Sequence, residues 1–291
     1  MQIWKAELLC KKELALGEGA IWHPHWKKFL YVDIENGIVG CIDSSSKKLK
    51  EHALGKKVGT VIPAENGKLV VALQGSIEEL DFETGKLEKL ISIENNKPNN
   101  RCNEGKCDDK GRLWIGTMHT EAKPKEGALY VFDGTLKKVI DNTSISNGIC
   151  WSNDNQTMYY IDSFDYNIKA YDFNLDTGEI SNKKIIIEIK NHNLLPHGMC
   201  IDEEGMLWVA MWGRFAVHRY NPNTGMMIGK ILVNAPNVTS CAFGGDDMRQ
   251  LFITTAREGL KDEQLKQYPL SGSLFTAKVF VKGLTTKMIK K

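Results

Sequence analysis

In the segment Asn147-Gly148-Ile149-Cys150-Trp151, a polar residue precedes a glycine and an apolar run. The sequence contains six related segments, counting this one. The other five are Glu18-Gly19-Ala20-Ile21-Trp22, Val58-Gly59-Thr60-Val61-Ile62, Glu104-Gly105-Lys106-Cys107-Asp108, His197-Gly198-Met199-Cys200-Ile201 and Thr239-Ser240-Cys241-Ala242-Phe243. Successive copies start roughly 40 to 50 residues apart, which is the length of one four-stranded blade of a β-propeller. The repeats therefore predict an all-β, six-bladed β-propeller with four-stranded antiparallel blades.

Strand and turn signals between the repeats support this fold. Short runs rich in Val, Ile, Trp and Tyr are interrupted by Gly, Asn and Asp, as in sheets built from hairpins. Three tripeptides indicate outer hairpins: Glu83-Thr84-Gly85, Asp176-Thr177-Gly178 and Asn223-Thr224-Gly225. No segment keeps the apolar period of about 3.6 residues that a helix requires, so helices are expected to be nearly absent. An α/β enzyme fold is disfavoured.

Composition and charge narrow the class of protein. The chain has 291 residues without a linker-like stretch, so a single propeller domain over residues 1–291 is predicted. The formal net charge is +2 and both signs are well mixed, which indicates no binding surface for nucleic acid or an anionic membrane. Residues 1–9 lack the features of a signal peptide, and no window approaches the roughly 18 apolar residues of a membrane span.

Cysteine usage and the C-terminus complete the general picture. The seven cysteines include no CxxC pair, which favours a reduced, cytoplasmic protein. The lysine-rich end is expected to be a solvated tail; its lysines are Lys282, Lys287, Lys290 and Lys291.

Four of the repeats carry a possible metal ligand directly before the small residue: Glu18, Glu104, Asn147 and His197. Equivalent positions in a propeller form a ring around its axis, so these side chains are expected to converge there. Carboxylate and amide oxygens suit calcium or magnesium, whereas an imidazole favours zinc, manganese or iron. The pattern predicts a metal site on the axis; the alternative is that these residues line a wet central channel.

A second polar cluster, Asn100-Arg101-Cys102-Asn103-Glu104-Gly105, leads into the third blade. Alternation along an extended segment places Arg101 and Asn103 on one face. A guanidinium fork beside an amide is suited to the hydroxyls, carbonyls or carboxylates of a polyol-like ligand. Covalent hydrolase chemistry is disfavoured because neither Cys102 nor Cys107 has an evident catalytic partner and no GxSxG motif is present.

Taken together, the motifs resemble the SMP-30/gluconolactonase/regucalcin family over essentially the whole chain. They are Leu16-Gly17-Glu18-Gly19-Ala20-Ile21-Trp22, Asn100-Arg101-Cys102-Asn103-Glu104-Gly105-Lys106, Gly116-Thr117-Met118, Ser146-Asn147-Gly148, Gly198-Met199-Cys200-Ile201-Asp202 and Thr239-Ser240-Cys241-Ala242-Phe243-Gly244-Gly245. The family consists of six-bladed propellers that act as metal-dependent lactonases. The resemblance implies that Glu18 and Asn147 bind the metal, that Arg101 and Asn103 hold the lactone, and that Glu121 lines the substrate side.

Three positions depart from the family pattern. The family has an aspartate before the Gly-Met of the fifth blade, as third ligand and proposed general base, where this chain has His197. Glu104 stands in place of the usual aspartate of the third blade, and Trp212-Gly213-Arg214 replaces Trp-Gly-Gly. These departures concern catalysis and the identity of the metal rather than the fold.

The function implied by the resemblance is hydrolysis of a sugar lactone to the aldonic acid. One divalent metal ion, held by Glu18, Asn147 and His197, would polarise the lactone carbonyl as a Lewis acid. His197 and Glu18 are the candidate catalytic residues, and His197 favours zinc or manganese, with calcium or magnesium possible. A neutral imidazole can act as ligand or as base, but not as both through one nitrogen. The alternative function is a non-catalytic or weakly catalytic metal- or ligand-binding propeller, because the usual aspartate is absent.

Overall fold

The computed structural model of the protein describes residues 1–191 and 194–290. Two short strands open the chain: β1 (Gln2–Lys5) and β2 (Glu7–Cys10). The first blade contains β3 (Gly17–His23), β4 (Lys28–Asp33), β5 (Ile38–Ile42) and β6 (Leu49–Ala53). The second contains β7 (Val58–Pro63), β8 (Leu69–Leu73), β9 (Ser76–Asp81) and β10 (Lys86–Ser92). The third contains β11 (Asn100–Cys107), β12 (Leu113–His119), β13 (Gly127–Phe132) and β14 (Leu136–Thr143).

The second half of the described chain continues the same order. The fourth blade contains β15 (Ser146–Trp151), β16 (Thr157–Asp162), β17 (Asn167–Asn174) and β18 (Glu179–Glu188). The fifth contains β19 (Leu195–Ile201), β20 (Leu207–Trp212), β21 (Ala216–Tyr220) and β22 (Met227–Leu232). The sixth contains β23 (Val238–Gly244), β24 (Gln250–Thr255) and β25 (Leu274–Lys278). Helical structure within these ranges is limited to a 3₁₀ turn (Ser163–Asp165) and α1 (Asp262–Gln267).

The N-terminal strands complete the last two blades. β2 pairs antiparallel with β25 and supplies the fourth strand of the sixth blade. β1 pairs in parallel with β22 and adds a fifth strand to the fifth blade. The ring is thus closed by joining the first residues of the chain to its last blade, which leaves fewer exposed strand edges. The prediction of a six-bladed, all-β propeller is confirmed; the additional strand of the fifth blade was not predicted.

The first strand of each blade lies innermost, and all six of these strands carry a β-bulge. The pairing register shifts within the segments 18–21, 58–60, 102–105, 146–149, 196–199 and 238–240. A bulge removes residues from the hydrogen-bond ladder and re-aims their side chains. The bulges coincide with the repeat residues, so Asn147 and His197 leave the plane of their sheets.

Close contact between neighbouring inner strands explains the repeat glycines. A Cβ on Gly148 would lie 2.5 Å from the carbonyl oxygen of His197, and a Cβ on Gly198 would lie 2.8 Å from the Cα of Ser240. Real side chains do not tolerate such distances from backbone atoms, so only glycine lets the strands approach this closely. These two glycines therefore allow the inner strands of neighbouring blades to pack closely.

The C-terminal segment, residues 283–290, crosses one face of the propeller. It forms bridges with Asp202 of the fifth blade and with Ala64, which follows β7 in the second blade, and the N–H of Lys290 donates to the carbonyl of Gly111 at 3.2 Å. The Lys287 ammonium pairs with the Asp109 carboxylate. The expectation of a solvated tail is wrong for this backbone, although the lysine side chains are exposed. Lys291 lies outside the described residues.

Two further expectations from composition can be compared with the structure. All seven cysteines, which fall within the described ranges, are free thiols. No helix in residues 1–191 and 194–290 is long and apolar enough to cross a membrane.

Candidate active site

Glu18 and His197 meet on the axis although 179 residues separate them in sequence. Nδ1 of His197 lies 3.1 Å from Oε1 of Glu18, and Oε2 of Glu18 accepts a hydrogen bond from the Gly19 N–H at 3.1 Å. Only 3% of Glu18 and 9% of His197 is exposed to solvent. The structure thus brings two of the three predicted metal ligands into direct contact in a buried setting.

The ring of His197 is held in one orientation from two sides. Its face stacks on Trp212 with ring centroids 5.3 Å apart and an interplanar angle of 19°, while Nδ1 faces Glu18. A neutral imidazole that donates from Nδ1 keeps its lone pair on Nε2. A carboxylate in this position fixes the tautomer and makes Nε2 a better electron-pair donor. In the metal-free protein Nε2 is therefore the nitrogen suited to accept a proton, while Nδ1 and Glu18 face each other.

Asn147 presents an unsatisfied oxygen to the same region. Its Nδ2 donates to Ser163 Oγ at 3.0 Å, and Ser163 Oγ donates to the Pro196 carbonyl at 2.7 Å. This chain of hydrogen bonds assigns Oδ1 as the free acceptor, and Oδ1 is buried without a hydrogen-bond partner among the described residues. Leaving a buried acceptor unpaired costs about 1–3 kcal/mol. A cation at this position would remove that cost, so Asn147 fits the predicted role of metal ligand.

Glu104 lies deeper in the channel, next to Lys106. Its Oε1 is 3.7 Å from the Lys106 ammonium, and its Oε2 is buried with no hydrogen-bond partner within the described part of the chain. Burial raises the pKa of Glu104 to about 7; Lys106 opposes this rise and the carboxylate of Glu18 adds to it. A group with such a pKa exchanges a proton near neutrality.

Arg101 and Asn103 lie side by side, as alternation along the strand predicts. Arg101 Nη1 donates to Asn103 Oδ1 at 2.6 Å and to the Cys102 carbonyl at 3.1 Å. Asn103 Nδ2 donates to the carbonyl of Ser146 at 2.8 Å, which ties this pair to the strand of Asn147. Arg101 Nε has no hydrogen-bond partner among the residues described. Burial lowers the pKa of this guanidinium. An unpaired, buried donor is free to bind an oxygen of a ligand.

Glu121 is placed differently from the other predicted site residues. Its side chain is 71% exposed and forms an ion pair with Lys123 at 3.1 Å. Its backbone N–H donates to Nδ1 of His119 at 3.1 Å. The structure therefore does not gather Glu121 with the buried groups, and its role on the substrate side stays a prediction.

Several neighbours of the site were not found by reasoning on the sequence. Ser163 orients Asn147, and Trp212 holds His197, but neither belongs to the repeated position. The carboxylates of Glu35 and Glu258 are close enough to Arg101 to oppose the lowering of its pKa, and Glu35 pairs with Lys57. Glu35, Ser163 and Glu258 follow strands β4, β16 and β24. Polar residues in such loops were the signal from which these neighbours of the site could have been predicted, because loops often carry functional residues.

Comparisons with known proteins support the predicted family and fold. The family model described as SMP-30/gluconolactonase/LRE-like region matches residues 16–257. Regucalcin of Xenopus laevis is 34% identical over 278 residues, which cover 93% of each chain. The solved structure of a calcium-binding protein, regucalcin from Agrobacterium tumefaciens, superposes with a TM-score of 0.96 at 27% identity over 100% of both chains. A luciferin-regenerating enzyme superposes with a TM-score of 0.90 at 30% identity, covering 98% of this chain and 100% of the other.

Proposed function

Because the chain belongs to the SMP-30/gluconolactonase/LRE-like family, we propose that it is a metal-dependent lactonase that opens a sugar lactone to the aldonic acid. The observations that carry the proposal are the Oδ1 of Asn147, which is buried without a hydrogen-bond partner among the described residues, and the contact between Glu18 and His197. A buried acceptor, a carboxylate and an imidazole that converge on one axis form a donor set for a divalent cation.

The three donors suit a particular kind of metal. Glu18 contributes a negative oxygen, Asn147 a neutral oxygen and His197 a neutral nitrogen. Such a mixed set is more typical of zinc or manganese than of calcium, which prefers oxygen donors only. When bound, the cation supplies Lewis-acid polarisation of the lactone carbonyl. We propose that His197 is a ligand through Nδ1, since Nδ1 and Oε1 of Glu18 lie 3.1 Å apart and one cation between them would contact both.

A second role for His197 leads to a different reaction path. With Nε2 free, the imidazole would accept a proton from the attacking water, and Glu18 would stabilise the resulting imidazolium through Nδ1. The proton would then pass to the ring oxygen as the C–O bond of the lactone breaks. Nδ1 cannot donate to Glu18 and bind a cation at the same time, so metal affinity and the pH profile distinguish the two roles.

Substrate binding is assigned to Arg101 and Asn103, with Glu121 at the rim. Arg101 Nε is an unpaired donor, and the guanidinium is held in place by its bonds to Asn103 and Cys102. A rigid donor of this kind suits the hydroxyl or carbonyl oxygens of a small, neutral sugar lactone. A cytoplasmic location is part of the proposal, supported by the free thiols of the protein.

The test is hydrolysis of a panel of aldonolactones by the purified protein. Acid release is followed in the chelated protein and after each of zinc, manganese, calcium and magnesium is added back. The proposal expects activity that disappears on chelation and returns best with zinc or manganese. Hydrolysis that survives complete chelation would contradict a metal-dependent mechanism.

The second candidate function is a metal- or ligand-binding propeller with little or no turnover. It is favoured by the two contacts that hold the ring of His197. An imidazole fixed by Glu18 and Trp212 cannot readily reorient during a reaction. The same experiment separates the two functions. Tight metal binding without hydrolysis of any lactone in the panel would support the second.

A further inference from the structure

A cavity of about 320 Å³ lies further along the same inner strands, beyond the candidate active site. Cys107, Cys150 and Cys200 contribute thiols to its wall, and Lys106 contributes its side chain. The C-terminal segment, residues 284–287, borders it. None of these groups has a role in the proposed lactonase reaction, so the thiols that line this cavity are available for a separate role.

Two of the thiols in this region form a close pair across a blade boundary. Sγ of Cys200 on β19 lies 3.7 Å from Sγ of Cys241 on β23. Cys241 is fully buried and donates to the Trp208 carbonyl at 3.4 Å, whereas Cys200 is partly exposed and lines the cavity. The two differ in access: a small molecule in the cavity reaches Cys200 first and Cys241 only through it.

Neighbouring inner strands approach each other closely beside the pair. A Cβ on Gly198 would stand 2.8 Å from the Cα of Ser240, so the two inner strands are in contact next to the pair. A disulfide requires an S–S distance of about 2.0 Å and Cα atoms roughly 4.4–6.8 Å apart. The two sulfurs lie 3.7 Å apart and both thiols are free, so a disulfide requires them to approach each other by roughly 1.7 Å.

Lys106 adds a positive charge beside the thiols. Its ammonium donates to the Met199 carbonyl, directly before Cys200 in the chain. Burial raises the pKa of Cys241, and the Lys106 ammonium acts in the opposite direction. Burial is the larger of the two effects, so Cys241 remains a thiol near neutral pH, which is the form in which it takes part in the second step below.

We propose that Cys200 and Cys241 are a redox-modification site that forms a reversible disulfide when a small hydroperoxide enters the cavity. The Cys200 thiolate attacks the terminal peroxide oxygen, the O–O bond breaks, and the products are a sulfenic acid on Cys200 and an alcohol or water. The Cys241 thiol then attacks the sulfenic sulfur, an S–S bond forms and water leaves. The peroxide is reduced by two electrons, which the two thiols supply.

The test uses the intact, native protein and hydrogen peroxide. After timed exposure, remaining thiols are alkylated under denaturing conditions and the protein is digested with trypsin. Cys200 falls in the peptide 191–214, Cys241 in 231–249 and Cys150 in 139–169. We expect a cross-linked species of the first two peptides, lighter than their sum by about 2 Da, that appears before Cys150 is modified and disappears on reduction with dithiothreitol.

Substitutions make the outcome decisive. Cys200→Ser should abolish the cross-link and leave Cys241 reduced, and Cys241→Ser should leave a sulfenic acid on Cys200 that dimedone traps. Cys150→Ser is the matched control, since it removes another thiol of the cavity wall and should not slow the cross-link. A cross-link between Cys200 and Cys150, or oxidation of Cys150 while Cys200 and Cys241 stay alkylatable, would overturn the proposal. Neither result depends on lactonase activity.

Discussion

Replacing His197 by aspartate tests the site most directly, because it exchanges a neutral nitrogen donor for a negative oxygen. In the metal-free protein, His197→Asp removes the 3.1 Å contact with Glu18 and the stacking on Trp212. It also places a second carboxylate beside Glu18, which is 3% exposed. We therefore expect the metal-free variant to be less stable than the wild-type protein and to bind calcium more tightly.

The magnitude follows from the contacts that are lost. A hydrogen bond to a charged group contributes about 1.5–3 kcal/mol, and an aromatic stack about 0.5–1.5 kcal/mol. The metal-free variant should thus lose about 2–4 kcal/mol of unfolding free energy, which lowers Tm by roughly 3–7 °C in a protein of 291 residues. Calcium at a hundred times its Kd returns about 2.7 kcal/mol, so most of the loss should be recovered.

The assay is thermal unfolding after chelation, with and without calcium, and in parallel with zinc and manganese. His197→Asn is the matched control, since it has the shape of aspartate without its charge; it should lose stability but recover less with calcium. Wild-type protein should respond more strongly to zinc or manganese than to calcium. Equal calcium-induced shifts of Tm in the wild-type protein and His197→Asp would refute the assignment of His197 as a metal ligand.

Three further predictions concern neighbouring residues. Asn147→Ala removes the unpaired buried oxygen and should weaken metal binding at least about tenfold while leaving the fold intact; Asn153→Ala, an exposed control, should not change the metal content measured by elemental analysis. Arg101→Ala should raise KM for the best lactone by about 10- to 100-fold, since a charged hydrogen bond is lost, without changing metal content; an unchanged KM would contradict its role. Burial raises the pKa of Glu104 from 4.5 to about 7, so the stability associated with this group is present below pH 4.5 and is lost as the pH rises through 7. That loss amounts to about 3 kcal/mol at 1.36 kcal/mol per pKa unit. Glu104→Gln should therefore flatten the dependence of unfolding free energy on pH between 5 and 8 in the chelated protein; an unaltered slope would show that Glu104 titrates normally.

The fold could be predicted from the sequence because its signals are local and repeated. Each blade is built from consecutive hairpins, so strand propensity and turn residues specify it without distant contacts. The repeat then predicted that Glu18, Asn147 and His197 face one axis, since equivalent positions in a closed ring face its centre, and the structure shows the contact between Glu18 and His197. The strand β1 could not be predicted from local signals because it pairs with β22, which is far away in the sequence. The two strands become neighbours only when the ring closes.

The candidate site was predictable in composition but not in geometry. The sequence by itself determined which residue types converge, and it placed Arg101 and Asn103 on one face through alternation. Only the tertiary structure decided that Nδ1 of His197 faces Glu18 and that Oδ1 of Asn147 is left unpaired, because the partners that decide both lie on other strands and loops. The orientation of a buried side chain depends on which donors and acceptors surround it, and residues far apart in the chain become neighbours only when the blades pack against one another.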